Sequence, residues 1–451
     1  MRSSRFLFCG LLGIAAALPA QTRKANVLLL IADDLGVDYI DCYKEGGDPA
    51  KTPTIDSLAA NGVMFRNTWA YPLCSPTRAA LMTGRYGFRT GIGHLVRGGR
   101  GGRRRVEGGG SDLTKELTLP KLLDQARCGY ANGLIGKWHL GGGDSGPNDA
   151  GWSHFSGVIP GVIGRSYFSW RRTVDGESAT STNYATTQMA DDALAFIRAN
   201  EQKGKPWVCV VSFVAPHSPF HRPPDKLHTT DSKEFERGGN ITFYRAMVEA
   251  MDTEIGRLLK ELGDVRERTN VIFLGDNGTP GRMVQAPFRR GEAKGTIYEG
   301  GINVPLVVSG PAVGGRPRET LALVHVVDLF ATIAELCGVE VGSHFPKERK
   351  LDGVSFVPVL RSAETVSLRE TVFTELFRGD PNRAGHAAIR DERYKMIRIF
   401  RGDAIPKDRM YDLQKDPFEL HNLLRRTPPV EITGRYHSLR SEFEQLRGSR
   451  E

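Results

Sequence analysis

With 451 residues, 40% of them hydrophobic and 25% charged, the chain holds enough apolar material for a large core and a second, smaller domain. That balance excludes both a disordered polypeptide and a bundle of membrane helices. Basic residues exceed acidic ones by 61 to 52, a formal charge of +9. Much of the excess is local, because Arg97, Arg100, Arg103, Arg104 and Arg105 crowd one glycine-rich stretch. No aromatic run accompanies those arginines, so nucleic acid is a poor partner.

Arg2 and Arg5 precede an apolar run over residues 6–18, with a small residue at Ala20. This is the pattern of a secretory signal peptide over residues 1–20, cleaved near Ala20, and it predicts a secreted or periplasmic protein. The run is shorter than the roughly twenty residues that span a bilayer, and no later run reaches that length. Beyond it Cys42, Cys74, Cys128, Cys209 and Cys337 are too sparse for a disulfide framework in a chain of this size. Cys209 lies inside an apolar run and reads as a core residue.

Residues 26–32 form a continuous apolar run, as expected of a strand buried on both faces, and end in Asp33-Asp34-Leu35-Gly36. Residues 54–61, closed by Gly62, read as a short helix. The stretch Pro72-Leu73-Cys74-Ser75-Pro76-Thr77-Arg78 then leads into Ala79-Ala80-Leu81-Met82-Thr83-Gly84-Arg85. Pro76 suits the first turn of a helix, which puts Cys74 at its N-terminus with Arg78 one turn on. On physical grounds alone such a thiol is expected to have a lowered pKa. Residues 97–110, arginine and glycine without an apolar period, read as a solvated basic loop and not an element.

A helix over 118–127 with Pro120 in its first turn leads to a strand at 130–135, closed by Gly136-Lys137-Trp138-His139-Leu140-Gly141-Gly142-Gly143. Residues 184–201 suit an amphipathic helix. A buried strand at 207–214 ends in Ala215-Pro216-His217-Ser218-Pro219, a helix at 241–262 stops at Gly263, and a strand at 270–274 runs into Gly275-Asp276-Asn277-Gly278. A strand at 303–309 and a helix at 324–336 follow. This alternation predicts an α/β fold with a large, mostly parallel or mixed sheet covered by helices on both faces, over residues 21–362. Residues 363–451 change pattern: strands at 371–376, 387–390 and 394–400 and a helix at 431–447 predict a small antiparallel sheet with a packed helix.

Asp33, Asp34, Asp276 and Asn277 offer hard oxygen donors at the ends of two buried strands. Adjacent carboxylates there require a cation or protonation, and a set without histidine favours Ca²⁺ or Mg²⁺ over zinc. Taken singly, each pair would be an ordinary cap or turn. Lys137 and His139 can face one cleft from a glycine-flanked turn, Lys294 lies in the turn-rich Lys294-Gly295-Thr296-Ile297-Tyr298-Glu299-Gly300-Gly301, and His217 stands on a backbone restricted by two prolines.

The C-x-P-x-R block with its T-G-R tail, followed in order by G-K-W-H-x-G, A-P-H-x-P, D-N-G and K-G-x-x-x-E-G-G, resembles the formylglycine-dependent sulfatases of the alkaline phosphatase superfamily. The resemblance covers about residues 26–422, including the closing Met410-Tyr411-Asp412-Leu413 and Asp416-Pro417-Phe418-Glu419-Leu420-His421-Asn422, to which no chemistry is assigned. It implies an alkaline phosphatase-like fold. It also implies that a formylglycine-generating enzyme oxidises Cys74 to an aldehyde, whose hydrate attacks sulfur through one hydroxyl. In that scheme Asp33, Asp34, Asp276, Asn277 and the modified residue 74 hold the cation, Ca²⁺ or else Mg²⁺. Arg78 holds the hydrate, Lys137 and Lys294 bind the sulfuryl oxygens, His217 protonates the leaving alcohol, and His139 helps deprotonate the second hydroxyl so that sulfate leaves. Two departures from the family pattern are Gly275, where serine is frequent, and Asn303, where arginine is frequent. The expected substrate is a sulfated carbohydrate, and residues 97–105 could form a basic lip for a polyanionic chain. Two alternatives stay open at this point: hydrolysis of a phosphate or phosphonate ester on the same fold, and an inactive sulfated-glycan-binding protein with unmodified Cys74.

Overall fold

The computed structural model describes residues 24–98, 104–106 and 113–448. The signal sequence expected at 1–20, and residues 99–103 and 107–112 of the basic stretch, lie outside the described residues. In chain order the strands are β1 Asn26–Ala32, β2 Val63–Trp69, β3 Val96–Gly98, β4 Arg104–Val106, β5 Ala131–Lys137, β6 His154–Val158, β7 Trp170–Val174 and β8 Glu177–Ser181. They continue with β9 Trp207–Ser212, β10 Thr269–Gly275, β11 Leu306–Ser309, β12 Arg318–His325, β13 Val372–Phe377, β14 Ala384–Arg390, β15 Tyr394–Arg401 and β16 Lys407–Asp412.

Ten strands form one sheet in the order β12-β2-β11-β10-β1-β9-β5-β6-β7-β8. β1 pairs in parallel with β10 and β9, and β5 with β9 and β6, whereas β11, β7 and β8 run antiparallel to their neighbours. The sheet is therefore mixed, with a parallel centre, inside the range the sequence allowed. β1 is buried along its whole length because helices cover both faces, which is why its apolar run is unbroken rather than alternating. One face carries the Cys74–Thr83 and Asp328–Leu336 helices, the other the long helices Ala185–Gln202 and Ser232–Glu261. Parallel pairing aligns the carboxyl ends of β1, β10, β9 and β5 along one edge, so the segments that follow them meet there.

A second sheet of four antiparallel strands, β13-β14-β15-β16, is covered by the helix Val430–Gly448 through Leu439 and Phe443. Trp69, Ile297, Ile302, Val372, Ala388 and Ile397 form an apolar cluster between the two sheets. Among the described residues no helix is long and apolar enough to cross a membrane.

Several elements differ from expectation. The stretch from 97 is not devoid of structure, since Val96–Gly98 and Arg104–Val106 pair as an antiparallel ribbon. The expected helix at 324–336 starts at Asp328, because residues 318–325 add an edge strand parallel to β2 and the Asp328 carboxylate accepts the His325 N–H at 2.9 Å. The helix expected at 241–262 begins at Ser232, where Asp231 caps it by accepting the Glu234 N–H, and Gly239 breaks its path with φ 55°. The strand expected at 303–309 begins only at Leu306. β2, β6, β7 and β8 escaped sequence reading because each mixes polar and apolar residues without clean alternation.

Candidate active site

Cys74 is the first residue of its helix, preceded by Leu73 in extended conformation, and every residue of Cys74–Thr83 is buried. Its Sγ lies 3.4 Å from Asp33 Oδ1 and 3.8 Å from Asp34 Oδ1, at the end of β1, and 4.0 Å from Lys294 Nζ. The expectation of a lowered thiol pKa is overturned. Burial first, and the Asp33 carboxylate second, push the Cys74 pKa well above the ordinary thiol value and outweigh Lys137 and Lys294. The helix N-terminus does not compensate for a site wrapped in carboxylates.

Three buried carboxylates are each matched by one cation. Asp33 pairs with Lys137 Nζ at the end of β5, Asp34 with Lys294 Nζ, and Asp276 Oδ2 with Arg78 Nη2 at 2.9 Å. Arg78 also donates through Nη1 to the Lys137 carbonyl at 2.8 Å and to Ser212 Oγ at 2.5 Å, so one guanidinium ties together the ends of β5, β9 and β10. Burial works to raise the Asp34 pKa, but Lys294, His217 and Lys137 together hold that carboxyl below the usual range. Asp276 goes the other way: burial and the neighbouring Asp33 push it up to about 6 against the pull of Arg78. A centre that holds one of its carboxylates so reluctantly ionised favours additional positive charge.

The donor set suits a hard cation on further grounds. One ligand atom each from Asp33, Asp34, Cys74 and Asp276 lies within 4.8 Å of the other three, all of them buried. Asn277 donates through Nδ2 to Asp34 Oδ1 at 2.9 Å, while its Oδ1 is buried with no hydrogen-bond partner among the described residues. An orphaned amide oxygen beside three carboxylates is a ready ligand for a cation that prefers oxygen.

The histidines flank this cluster. His139 sits just past β5 with φ 57°, nearly buried, and its Nδ1 has no partner among the described residues. A Cβ at Gly161 would fall 2.2 Å from the His139 ring, so the absence of a side chain there lets the imidazole lie where it does. Burial, then Lys137 and Arg78, keep His139 well below the ordinary imidazole pKa. His217 Nε2 lies 3.7 Å from Asp34 Oδ2, its Nδ1 is 2.8 Å from the Ser218 carbonyl, and burial lowers its pKa to about 4. Both shifts favour the neutral ring.

All ten residues singled out in the sequence converge on one edge of the sheet. Three others went unnoticed. Ser212 ends an apolar strand and receives Arg78. Thr279 Oγ1 accepts the Gly36 N–H at 3.0 Å and donates to Asp38 at 2.6 Å, binding the turn after β1 to the turn after β10. Tyr167 donates to the His217 carbonyl at 2.6 Å. No local signal marks these residues, whose partners are brought up by strand order alone.

A mixed sheet with this buried, charge-balanced centre at its carboxyl edge defines an α/β protein with a site suited to a hard cation. The family model described as Sulfatase matches residues 25–339, and that described as N-sulphoglucosamine sulphohydrolase, C-terminal, matches residues 293–448. N-acetylgalactosamine-6-sulfatase of Canis lupus familiaris is 30% identical over 77% of this chain and 68% of its own length. Arylsulfatase A of Homo sapiens is 29% identical over 92% of this chain and 86% of its own. Among solved structures, Ps i-CgsB in complex with k-i-k-neocarrahexaose superposes with a TM-score of 0.73 at 24% identity, covering 94% of this chain and 93% of that one. BT4656 in complex with D-glucosamine-2-N,6-O-disulfate gives 0.70 at 21%, covering 94% and 98%. The chain belongs to the sulfatase family and is a sulfuric ester hydrolase.

Proposed function

We propose that this enzyme releases sulfate from a sulfated carbohydrate, using a formylglycine made from Cys74 and a divalent cation, Ca²⁺ or in its place Mg²⁺. The observation that carries the reading is the state of Cys74. A thiol buried against Asp33 and kept protonated is a poor nucleophile, yet it occupies the meeting point of three carboxylates and three cations. Oxidation to an aldehyde, whose hydrate offers oxygen instead of sulfur, resolves that conflict. It requires a formylglycine-generating enzyme as a partner during maturation. When bound, the cation supplies charge neutralisation at the sulfate, with Asp33, Asp34, Asp276, Asn277 and residue 74 as its holders.

The remaining roles belong to the chain's own side chains. Lys137 and Lys294 supply ammonium groups for the sulfuryl oxygens on either side of residue 74. Arg78, fixed by three bonds, orients residue 74 from behind. His217, beside Asp34 and favoured as the neutral ring in the free enzyme, takes up a proton when the anionic sulfate ester binds and delivers it to the departing alcohol. His139, neutral and with a free Nδ1, accepts a proton from the modified residue so that sulfate can leave.

A carbohydrate substrate is supported by the relative named N-acetylgalactosamine-6-sulfatase and by a fold neighbour in complex with its substrate D-glucosamine-2-N,6-O-disulfate. Secretion or periplasmic export rests on the sequence of residues 1–20. A catalytic domain over 21–362 and a small domain over 363–451 are supported by the separation of the ten-stranded and four-stranded sheets. Parallel assays with p-nitrophenyl sulfate and p-nitrophenyl phosphate, each with and without a chelator, test the reading. Chelator-sensitive turnover faster on the sulfate is expected, and faster turnover of the phosphate would overturn it.

A further inference from the structure

The Asp416–Asn422 block lies far in sequence from every residue of the centre, yet one of its side chains reaches toward it. Asp416 and Asn422 serve their own surroundings: Asp416 accepts the Leu420 and His421 N–H groups at 2.9 and 2.7 Å, and Asn422 accepts those of Met410 and Leu424 at 3.0 and 3.1 Å. Glu419, buried with φ 56°, points out of the turn instead. Its Oε2 accepts the Glu299 N–H at 2.6 Å, and its Oε1 lies 2.8 Å from Lys395 Nζ of β15, an ion pair by distance whose angle falls outside hydrogen-bond geometry. Lys395 also donates to Glu299 Oε1 at 2.9 Å, and the Trp69 indole N–H donates to the same oxygen at 3.2 Å. The small sheet thus grips the short helix Glu299–Ile302 through one ammonium shared by two carboxylates.

That helix abuts the candidate centre directly. The Gly278 N–H donates to the Gly301 carbonyl at 2.9 Å, and a Cβ on Gly278 would fall 2.0 Å from the Gly300 carbonyl, so residues 300–301 press on the backbone next to Asn277. On its other side the chain runs back to Lys294, whose N–H bonds to the Thr279 carbonyl at 3.1 Å, while the Gly295 N–H bonds to the Pro72 carbonyl at 2.9 Å, two residues before Cys74. The segment that carries Glu299 is thus bonded through its backbone to the residues next to Asn277 and to the turn that carries Lys294.

We propose that Glu419 is a positioning residue for the sulfate-ester reaction: by joining Lys395 to the Glu299 N–H it seats the Glu299–Ile302 helix against Gly278 and so fixes Asn277 and Lys294. The inference rests on the function proposed above. Buried ion pairs often contribute little net stability compared with apolar packing, and in some proteins they fix one arrangement of the groups they join, the role assigned to this cluster.

The test compares mature wild-type enzyme with Glu419→Gln, with the milder Phe418→Ala, whose ring packs edge-on against Phe288 at 5.2 Å, and with Asp408→Asn as control. Asp408 pairs with Arg398 at 2.8 Å in the same small sheet and accepts from Tyr436, with no bond to Glu299 among the described residues. Glu419→Gln should lower kcat on an aryl sulfate at least tenfold with KM changed less than twofold, and Phe418→Ala should lower it about threefold. Amide hydrogen exchange over residues 276–302 should quicken at least tenfold in Glu419→Gln while the Val430–Gly448 helix keeps its protection. Asp408→Asn should leave kcat within twofold whatever its melting temperature. If Glu419→Gln and Asp408→Asn lose activity only in proportion to lost thermal stability, or exchange over 276–302 is unchanged, the proposal is overturned. Wild-type enzyme that releases no sulfate would instead defeat the functional reading, and the exchange measurement would still decide the positioning of 276–302.

Discussion

Arg78→Lys isolates the geometry of the centre from its charge. The guanidinium makes three hydrogen bonds, to Asp276 Oδ2 at 2.9 Å, the Lys137 carbonyl at 2.8 Å and Ser212 Oγ at 2.5 Å, with the side chain 4% exposed. A lysine ammonium keeps the charge but, placed to reach Asp276, gives up the other two, which involve a charged donor and are worth about 1.5–3 kcal/mol each. The loss is therefore about 3–6 kcal/mol. With an unfolding entropy of about 2.1 cal/mol/K per residue, a chain of 451 residues changes stability by about 0.9 kcal/mol per degree near its midpoint. A cooperative transition should then fall by about 3–6 °C, measured by differential scanning calorimetry, and Ser212→Ala by about half that. Because Arg78 also sets Asp276 against residue 74, kcat/KM on an aryl sulfate should drop at least a hundredfold in Arg78→Lys, far more than the lost folded fraction at 25 °C accounts for. A variant melting within 1 °C of wild type, or retaining half its activity, would refute the reasoning.

His217→Asn should cost about 10²–10⁴ in kcat on a sugar sulfate, the usual range for loss of a general acid, but much less on p-nitrophenyl sulfate, whose leaving group needs little protonation; equal losses on both would argue against the role. Unmodified protein should show Cys74 resistant to iodoacetamide until denatured, because its thiol is buried and its pKa raised, and labelling under native conditions would contradict the electrostatics. Glu375, buried beside Arg447, has its pKa pushed up to about 7 chiefly by burial, so the folded state holds a proton that the unfolded chain releases at lower pH. Its contribution to stability is thus full below the unfolded value and lost as pH rises toward 7. Glu375→Gln should accordingly melt higher relative to wild type at pH 8 than at pH 5, and the reverse trend would be decisive against it.

The parts of the fold visible in the sequence were those where burial leaves a one-dimensional trace. β1, β9 and β10 lie on both faces under helices, so their apolar runs are unbroken, and the aspartates directly after β1 and β10 announced the carboxyl edge. Edge strands such as β12 and β8 left no such trace, because the first half of β12 and all of β8 are at least partly exposed. In the centre, Cys74, the two aspartate-bearing turns, the histidines and the lysines stood in motifs that can be read locally. Ser212, Thr279 and Glu419 could not be found that way, since each is an ordinary residue whose importance comes from which strand or turn is set beside it. The thiol's pKa was misjudged for a related reason: the helix N-terminus and Arg78 are local, while the dominant influences are burial by the whole fold and the Asp33 carboxylate just past β1, 41 residues away in the chain.

The central claim is that the side chain at position 74 acts as an aldehyde hydrate and not as a thiol. Mass spectrometry of the peptide containing residue 74, taken from enzyme made in a host with a formylglycine-generating activity and assayed in parallel for sulfate release, tests it most directly. The account predicts the mass of an aldehyde in place of the thiol, activity proportional to the converted fraction, and none in Cys74→Ala. Full sulfatase activity from protein whose Cys74 is entirely unmodified would contradict it.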